Sequence, residues 1–263
     1  MKYIGIRGHR GAGKTTISYL LGNTINYLIK HPNDELSDDL YRIWCDDIIK
    51  DEKIIHECGL DYVYFESFSD ILKLWIKLLL GCPNDYIYDD YYKDHMVINL
   101  KDFNWRVYDE LPQNIILHSH SELYELMPKD KYPTTITKNI FISLREFIMY
   151  FGLEVMQRFF GANVWVKSLK SSSEFYNSLF DEPNSYKLFT DIKTPAEVTY
   201  IKNNGGKIIK VSRPGYKKNS KGLDKLSQDN RFDFEIIVDG DLYNTKQIIL
   251  EISKQLIENE SRQ

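Results

Sequence analysis

The stretch Gly8-His9-Arg10-Gly11-Ala12-Gly13-Lys14-Thr15 decides the fold of this chain. It follows a short apolar run, residues 3–6, and precedes residues 16–30, which lack proline and carry apolar side chains at roughly helical spacing. Strand, glycine-rich turn and helix therefore follow one another. The stretch satisfies the Walker A pattern, in which inward-pointing N–H groups cradle phosphates, the lysine reaches the β and γ phosphates and the final hydroxyl can ligand Mg2+. The pattern predicts a nucleoside triphosphate site.

The length and composition of the chain limit its class. With 263 residues and 43% hydrophobic content, it can bury one large core or one core with an insertion, and we predict a single domain over residues 1–263. Its 34 basic and 38 acidic residues are mixed along the chain, so neither a nucleic-acid surface nor a polybasic membrane patch is indicated. We expect no nucleic-acid partner and no membrane partner.

The cysteines and the N-terminus favour a cytoplasmic protein. Cys45, Cys58 and Cys82 are odd in number and lack C-x-x-C spacing, which indicates neither a disulfide framework nor a zinc site. The first apolar run is too short for a signal peptide, and no apolar segment is long enough to span a bilayer.

Strand-like and helix-like segments alternate along the rest of the chain. This alternation predicts an α/β fold with about five parallel strands and helices on both faces of the sheet. The strand predicted over residues 187–191 ends in Asp191. Because the carboxyl ends of parallel strands form the ligand crevice, Asp191 is expected beside the glycine-rich turn, where it can hold Mg2+ or orient a substrate. The alternative is an exposed polar residue at a strand end.

Two segments lack this regular pattern. Residues 84–140 form a long irregular stretch, which we interpret as an insertion within the domain, and the apolar runs 97–100 and 115–117 inside it are candidates for a hairpin. Its histidines are expected to be solvated or packed, because the spacing of a third metal ligand is missing. Residues 214–231 are basic and contain glycine, as a mobile lid would.

Several stretches, taken in order, resemble the deoxynucleoside monophosphate kinases of large DNA phages and viruses, a branch of the P-loop nucleoside monophosphate kinase family. Besides the glycine-rich stretch, they are residues 68–73 (FSDILK), Leu144-Arg145-Glu146, residues 151–154 (FGLE) with Arg158, Trp165-Val166, residues 190–197 (TDIKTPAE), Gly205-Gly206 and Arg213-Pro214. The resemblance covers about half of the chain and skips most of residues 84–140. The order and spacing of the pieces carry it, since only the glycine-rich stretch is specific alone.

The resemblance implies an ATP-dependent enzyme of deoxynucleotide biosynthesis. ATP would give its γ-phosphoryl group to a deoxynucleoside monophosphate, with Mg2+ as cofactor, to yield the diphosphate and ADP for viral or phage DNA precursor supply. The enzyme would work in the cytoplasm, that of the host if the source is viral. Whether the chain forms a homodimer stays open.

The resemblance also implies roles for individual residues. ATP binding falls to Gly11, Ala12, Gly13, Lys14, Thr15, Thr16 and Arg213. Acceptor binding falls to Arg10, Lys73, Arg145, Gly152, Leu153, Trp165, Asp191, Lys193 and Glu197. Lys14, Arg145 and Arg158 would supply positive charge to the transferring group, and Thr15 and Asp191 would hold the metal. For Trp165, a place in the core is the alternative to packing against a base.

The chain departs from the family pattern at three positions. Thr15 and Lys193 stand where many relatives have aspartate and arginine, and Leu153 stands where relatives often have threonine. Lysine keeps the charge of arginine but lacks its two-pronged geometry. These departures bear on base specificity more than on activity.

Two other functions fit the same residues. The sheet and the glycine-rich turn do not choose the acceptor, so a P-loop kinase for another small metabolite, such as dephospho-coenzyme A, is the second hypothesis. The third is a non-catalytic ATP-binding scaffold whose partner contacts lie in residues 84–140.

Overall fold

The computed structural model describes residues 1–9, 11–50, 60–126, 136–170, 185–215 and 230–258. Most of the predicted lid, residues 214–231, lies outside these ranges. The chain divides into two compact units: the first comprises Met1–Phe68 and Lys170–Gln263, and the second comprises Ser69–Leu169. The region predicted as an insertion, residues 84–140, lies within the second unit. In the described part of the chain, no helix is both long enough and apolar enough to cross a membrane.

The first unit is built on a five-stranded parallel sheet. Its elements are β1 (Lys2–Gly8), α1 (Lys14–Lys30), α2 (Asp38–Lys50), β2 (Val63–Glu66), β6 (Tyr186–Ile192), α9 (Pro195–Asn203), β7 (Lys207–Ser212), β8 (Phe234–Ile237) and α10 (Leu242–Glu258). The strand order is β2-β6-β1-β7-β8, and every neighbouring pair is parallel. The α/β class and the number of parallel strands predicted from the sequence are confirmed.

Both faces of this sheet are covered, because successive side chains of a strand point to opposite sides. Ile4 and Ile6 of β1 belong to a buried cluster that also contains side chains of α1, α2 and α10. On the other face, a Cβ at Gly5 would lie 2.6 Å from Ile201 of α9, so glycine lets that helix approach β1 closely. Helices therefore flank the sheet on both faces, as predicted.

The start of α9 is fixed by its own sequence. Thr194 accepts a hydrogen bond from the backbone of Glu197, the Glu197 carboxylate accepts one from the backbone of Thr194, and Pro195 occupies the first turn. This capping box satisfies backbone N–H groups that a helix start leaves unpaired. The helix begins at Pro195 and ends at Asn203.

The second unit contains a three-stranded antiparallel sheet and several short helices. Its elements are α3 (Asp70–Leu80), α4 (Asn84–Tyr88), α5 (Asp90–His95), β3 (Met96–Asn99), β4 (Asn104–Val107), α6 (His120–Leu126), β5 (Phe141–Ser143), α7 (Leu144–Met149), a π-helix (Tyr150–Met156) and α8 (Gln157–Phe160), and residues 164–170 are also helical. The sheet order is β4-β3-β5.

The predicted hairpin between residues 97–100 and 115–117 is wrong. β3 instead pairs with β4, which lies only a few residues further along the chain. Leu117 forms only an isolated bridge to Phe141 of β5. The sequence did not predict β4, because its residues, NWRV, contain no apolar run.

Candidate functional site

The glycine-rich turn joins β1 to α1 and has the backbone of a tight loop. Gly11 and Gly13 have φ values of 77° and 89°, a region that glycine adopts without strain. A Cβ at Gly8 would lie 2.4 Å from the Val211 carbonyl oxygen of β7, so only glycine fits this close approach. The turn ends where α1 begins at Lys14. Arg10, predicted to bind the acceptor, lies outside the described residues.

The Lys14 ammonium lies between the turn and a neighbouring strand. Its Nζ donates a hydrogen bond to the His9 carbonyl oxygen at 3.0 Å and lies 3.6 Å from Asp191 Oδ1. The carboxylate expected beside the turn therefore does lie there. At 3.6 Å the ion pair is longer than a strong charge-assisted hydrogen bond. An incoming phosphate could take over this contact at little cost.

Asp191 contacts a second cation. Lys193 Nζ lies 2.6 Å from Asp191 Oδ2, and its side chain is 54% exposed while that of Lys14 is 14% exposed. Each oxygen of the Asp191 carboxylate thus has its own lysine partner. For Asp191 to ligand Mg2+, as predicted, one of its oxygens would have to exchange a lysine for the metal.

Glu197 is buried in the first turn of α9, close enough to Asp191 for the two carboxylates to interact electrostatically. Its Oε2 accepts hydrogen bonds from the backbone N–H groups of Lys193 and Thr194, at 2.6 and 2.9 Å. Burial raises the pKa of Glu197 to about 7, although both hydrogen bonds act in the opposite direction. Its observed contacts hold the Lys193 backbone and begin α9. Direct acceptor binding by Glu197 remains a prediction.

The other residues predicted to bind ATP or metal surround the start of α1 or end a strand of the same unit. Ala12 is buried, Thr15 is half-buried and Thr16 is exposed, while Arg213 is exposed just after β7. Among the described residues, no three His, Cys, Asp or Glu side chains form a metal-binding group. Mg2+ commonly takes only one or two protein ligands beside phosphates and waters, so the pair of Thr15 and Asp191 fits its donor chemistry.

Arg145, in the second unit, is already engaged by two carboxylates. Its Nε lies 2.5 Å from Asp94 Oδ1 and its Nη2 lies 3.1 Å from Asp94 Oδ2, so the guanidinium grips both oxygens. Nη2 also lies 3.1 Å from Asp90 Oδ1. A planar fork that meets two oxygens is the geometry that arginine also uses for phosphate. Binding of an acceptor phosphate at Arg145 would require this contact to open.

The π-helix positions three other predicted residues. A Cβ at Gly152 would lie 2.6 Å from Leu72 Cδ2 of α3, so glycine allows these two elements to pack closely. Trp165 is 5% exposed and its Nε1 donates to the Gly152 carbonyl oxygen at 3.3 Å. Leu153 is half-buried. These contacts favour the core alternative for Trp165, whose ring lacks an open face.

Lys73 and Arg158 have different surroundings in the same unit. Lys73 Nζ lies 3.0 Å from Asp70 Oδ1 and 4.8 Å from the centre of the Tyr88 ring. Arg158 is exposed and lies 4.7 Å from the centre of the Tyr124 ring. Arg145 and Arg158, both expected to supply positive charge, lie on either side of Gly152. The structure places the π-helix there, which changes the helical phase between the two arginines.

Sequence reasoning missed one charged group near the end of β1. Arg7 is 6% exposed and lies 6.0 Å from the centre of the Phe232 ring, while Lys210 lies 5.0 Å from the same ring. Asp90 and Asp94 were also missed as partners of Arg145. The sequence did contain a signal for Arg7, since a charged residue just before Gly8 interrupts an apolar strand. The sequence contained no signal for Asp90 and Asp94 as partners of Arg145, because they precede it by more than fifty residues.

Comparisons with known proteins add no relative to this description. The chain matches no model of a protein family, and no curated protein matches it significantly.

Proposed function

We propose that the chain is a P-loop kinase that transfers the γ-phosphoryl group of ATP to a deoxynucleoside monophosphate. The observation that carries the proposal is the position of Lys14, which starts α1 after a turn of glycines with positive φ and faces Asp191 of β6. A lysine, a hydroxyl and a carboxylate around one helix start are the groups that a magnesium nucleotide requires.

The proposed reaction moves one phosphoryl group between two phosphates. An oxygen of the acceptor 5′-phosphate attacks the γ-phosphorus, the bond from that phosphorus to the β–γ bridging oxygen breaks, and ADP leaves with that oxygen. Bound Mg2+ would neutralise charge on the β and γ phosphates, held by Thr15 and Asp191. Lys14 would place its ammonium where charge develops on the transferring group. Because the reaction needs little covalent help, alignment and cations suffice.

Two features of the chain support a nucleotide as the acceptor. The resemblance of residues 144–158 and 190–197 to deoxynucleoside monophosphate kinases supports a nucleotide, and Arg145 carries the fork that a phosphate dianion needs. Lys193 lies beside Asp191 and offers a single cation in place of the arginine of many relatives.

The test is ADP release from Mg-ATP against each deoxynucleoside and ribonucleoside monophosphate, with dephospho-coenzyme A in the same panel. Turnover confined to deoxynucleotides is the expected result, and Lys14→Ala serves as the blank. Lys30→Ala is the matched control, because it removes a lysine from the other end of α1. Folded protein that releases no ADP with any deoxynucleotide would overturn the proposal.

The pattern of a negative panel separates the other hypotheses. Turnover with dephospho-coenzyme A alone would retain the kinase and change its acceptor. ATP binding without turnover on any acceptor would instead favour a scaffold, and deletion within residues 84–140 should then abolish a partner contact.

A further inference from the structure

Two cationic side chains of the second unit meet at one carboxylate oxygen. Lys93 Nζ and Arg145 Nη2 each lie 3.1 Å from Asp90 Oδ1. Lys93 lies on α5, three residues after Asp90, and Arg145 lies on α7. Two cations within hydrogen-bond distance of one point are an arrangement that also binds an oxygen of a phosphate group. The position that Asp90 Oδ1 occupies is therefore suited to another anion.

The two cations and the carboxylate differ in their exposure. The side chains of Lys93 and Arg145 are 17% and 19% exposed, whereas that of Asp90 is 70% exposed. An ion pair with so exposed a partner contributes little to stability, because water solvates the carboxylate almost as well. Asp90 can therefore rotate into solvent at small cost and leave its position to an anion that arrives from solvent.

Other contacts hold both cations in place when Asp90 rotates away. Lys93 Nζ also donates a hydrogen bond to the Tyr88 carbonyl oxygen at 2.7 Å. Arg145 keeps its two-pronged contact to Asp94. Only the outer contact of Arg145 has to open, and the contact that stabilises the fold stays intact. The two cations would thus meet an incoming anion already in position, which lowers the entropy cost of binding it.

Lys73 adds a third cation to this group. Its Nζ lies 4.8 Å from the centre of the Tyr88 ring, and Lys93 binds the carbonyl oxygen of the same residue. Burial lowers the pKa of Lys93, and the positive charges of Lys73 and Arg145 lower it further, while Asp90 acts in the opposite direction. An anion with nearly two negative charges would offset this repulsion better than a single carboxylate does.

We propose that Lys93 and Arg145 form a phosphate site, in which Asp90 Oδ1 occupies the position of a phosphate oxygen until a phosphate monoester displaces it. A phosphate monoester carries nearly two negative charges at neutral pH and offers three acceptor oxygens. That this phosphate belongs to the acceptor nucleotide rests on the proposed function. Lys93 is then an acceptor-binding residue, Asp90 competes with the acceptor, and Asp94 is a positioning residue that directs the Arg145 guanidinium.

The first experiment compares the KM for the preferred deoxynucleoside monophosphate in wild type, Asp90→Asn and Lys93→Gln. Asp90→Asn removes the competing charge and keeps the shape, so KM should fall about two- to fivefold, the fold-change that corresponds to an exposed ion pair. Lys93→Gln should raise KM at least about tenfold, because a charge-assisted hydrogen bond to phosphate is lost. Both changes should affect KM more than kcat, since they concern binding.

Lys101→Gln and Asp102→Asn are the matched controls for these two variants. Both side chains are exposed in the same unit, so the substitutions make the same charge changes away from the site. They should leave KM unchanged. Lys93→Arg keeps the positive charge and should retain a KM close to that of wild type. An Asp90→Asn protein whose KM is unchanged or higher would overturn the proposal, as would an unchanged KM in Lys93→Gln.

The second experiment detects the site without catalysis, by phosphorus NMR titration with inorganic phosphate. The Lys14→Ala background weakens phosphate binding at the glycine-rich turn; in it, Asp90→Asn should tighten phosphate binding and Lys93→Gln should weaken it. If wild type turns over no deoxynucleotide but the titrations differ in this way, the proposed function fails and the phosphate site stands. If wild type turns over and neither substitution changes KM or phosphate affinity, the proposed function stands and this site is overturned.

Discussion

Lys14 and Arg145 are both predicted to place positive charge on a transferring phosphoryl group, and both contact carboxylates, but the two contacts differ in strength. Lys14 Nζ approaches one oxygen of Asp191 at 3.6 Å and shares that carboxylate with Lys193. Arg145 grips both oxygens of Asp94 and adds a contact to Asp90. One cation is loosely held and the other is firmly held.

This difference indicates which contact can be exchanged for a ligand. A long, shared ion pair contributes little to stability and can be replaced by phosphate. A two-pronged guanidinium contact in a partly buried position stabilises the fold, and removal of one partner leaves the others unsatisfied. Lys14 therefore looks like a ligand-binding group, whereas Arg145 is first of all a structural one.

Loss of the Lys14 ammonium should have the largest functional effect and a small structural one. We expect Lys14→Ala to lower turnover by about 10²–10³-fold, the usual cost of losing one group that stabilises developing charge. The melting temperature should change little, since the ion pair with Asp191 is long. ADP release and thermal unfolding, compared with Lys30→Ala, measure the two effects. A strongly destabilised Lys14→Ala would break the contrast with Arg145.

Replacement of Arg145, in contrast to that of Lys14, should have a large effect on stability. Arg145→Ala leaves Asp94 and Asp90 without their shared cation, so we expect a loss of about 1–3 kcal/mol in unfolding free energy. Arg145→Lys should lose less unfolding free energy, because lysine keeps the positive charge although it lacks the two-pronged geometry of the guanidinium. Urea unfolding measures both, with Arg158→Ala as an exposed arginine control. Unchanged stability in Arg145→Ala would show that the carboxylate contact is not structural.

Glu197 predicts a pH dependence for the region around Asp191. Burial raises its pKa to about 7, from about 4.5, so the folded protein binds the proton more tightly than the unfolded chain does. The stability from this shift is complete below about pH 4.5 and is lost as the pH rises through about 7. Relative to Glu197→Gln, the wild type should lose about 2–3 kcal/mol between pH 5 and 8.

Urea unfolding of both proteins at several pH values tests this expectation. Glu235→Gln is the control, because hydrogen bonding to Lys210 and Ser212 lowers the pKa of Glu235 and moves its titration below that window. Parallel stability curves for wild type and Glu197→Gln would refute the burial argument.

The smallest effect should come from replacing Asp90, the more exposed of the two carboxylates that contact Arg145. The Asp90 side chain is 70% exposed and that of Asp94 is 46% exposed. Asp90→Asn should therefore change the unfolding free energy by about 0–0.5 kcal/mol, the range for exposed ion pairs. Asp94→Asn should cost more because it faces the fork of the guanidinium. Equal costs in the same urea titration would mean that the fork contributes no special strength.

The first unit was largely predictable from sequence, for a simple physical reason. Strand and helix periods are local signals, and parallel strands bring their carboxyl ends to one edge, so the amino-acid pattern alone puts Asp191 beside Lys14. The capping box of α9 was equally local, since Thr194 and Glu197 are three residues apart. The burial of the Glu197 carboxylate could not be predicted from local sequence, because it depends on the packing of α9 against the sheet.

The second unit was less predictable because its decisive contacts are distant in sequence. Nothing in the periodicity around Arg145 indicates Asp94, and β4 has no apolar run to mark it. The close packing of Gly152 against Leu72 is equally distant in sequence and leaves no local signal. Residue type alone left Trp165 open between core and ligand, and the structure buries it with its Nε1 donating to the Gly152 carbonyl oxygen.

The π-helix over Tyr150–Met156 has a consequence for the evolution of this segment. A single-turn π-helix corresponds to one residue more than a regular α-helix holds at that position. Because the wider π turn accommodates that residue, its deletion would restore the regular helix and leave the later side chains, Arg158 among them, in nearly the same direction. The direction of Arg158 is therefore compatible with a segment that is one residue shorter, and a one-residue deletion is better accommodated here than in a regular α-helix.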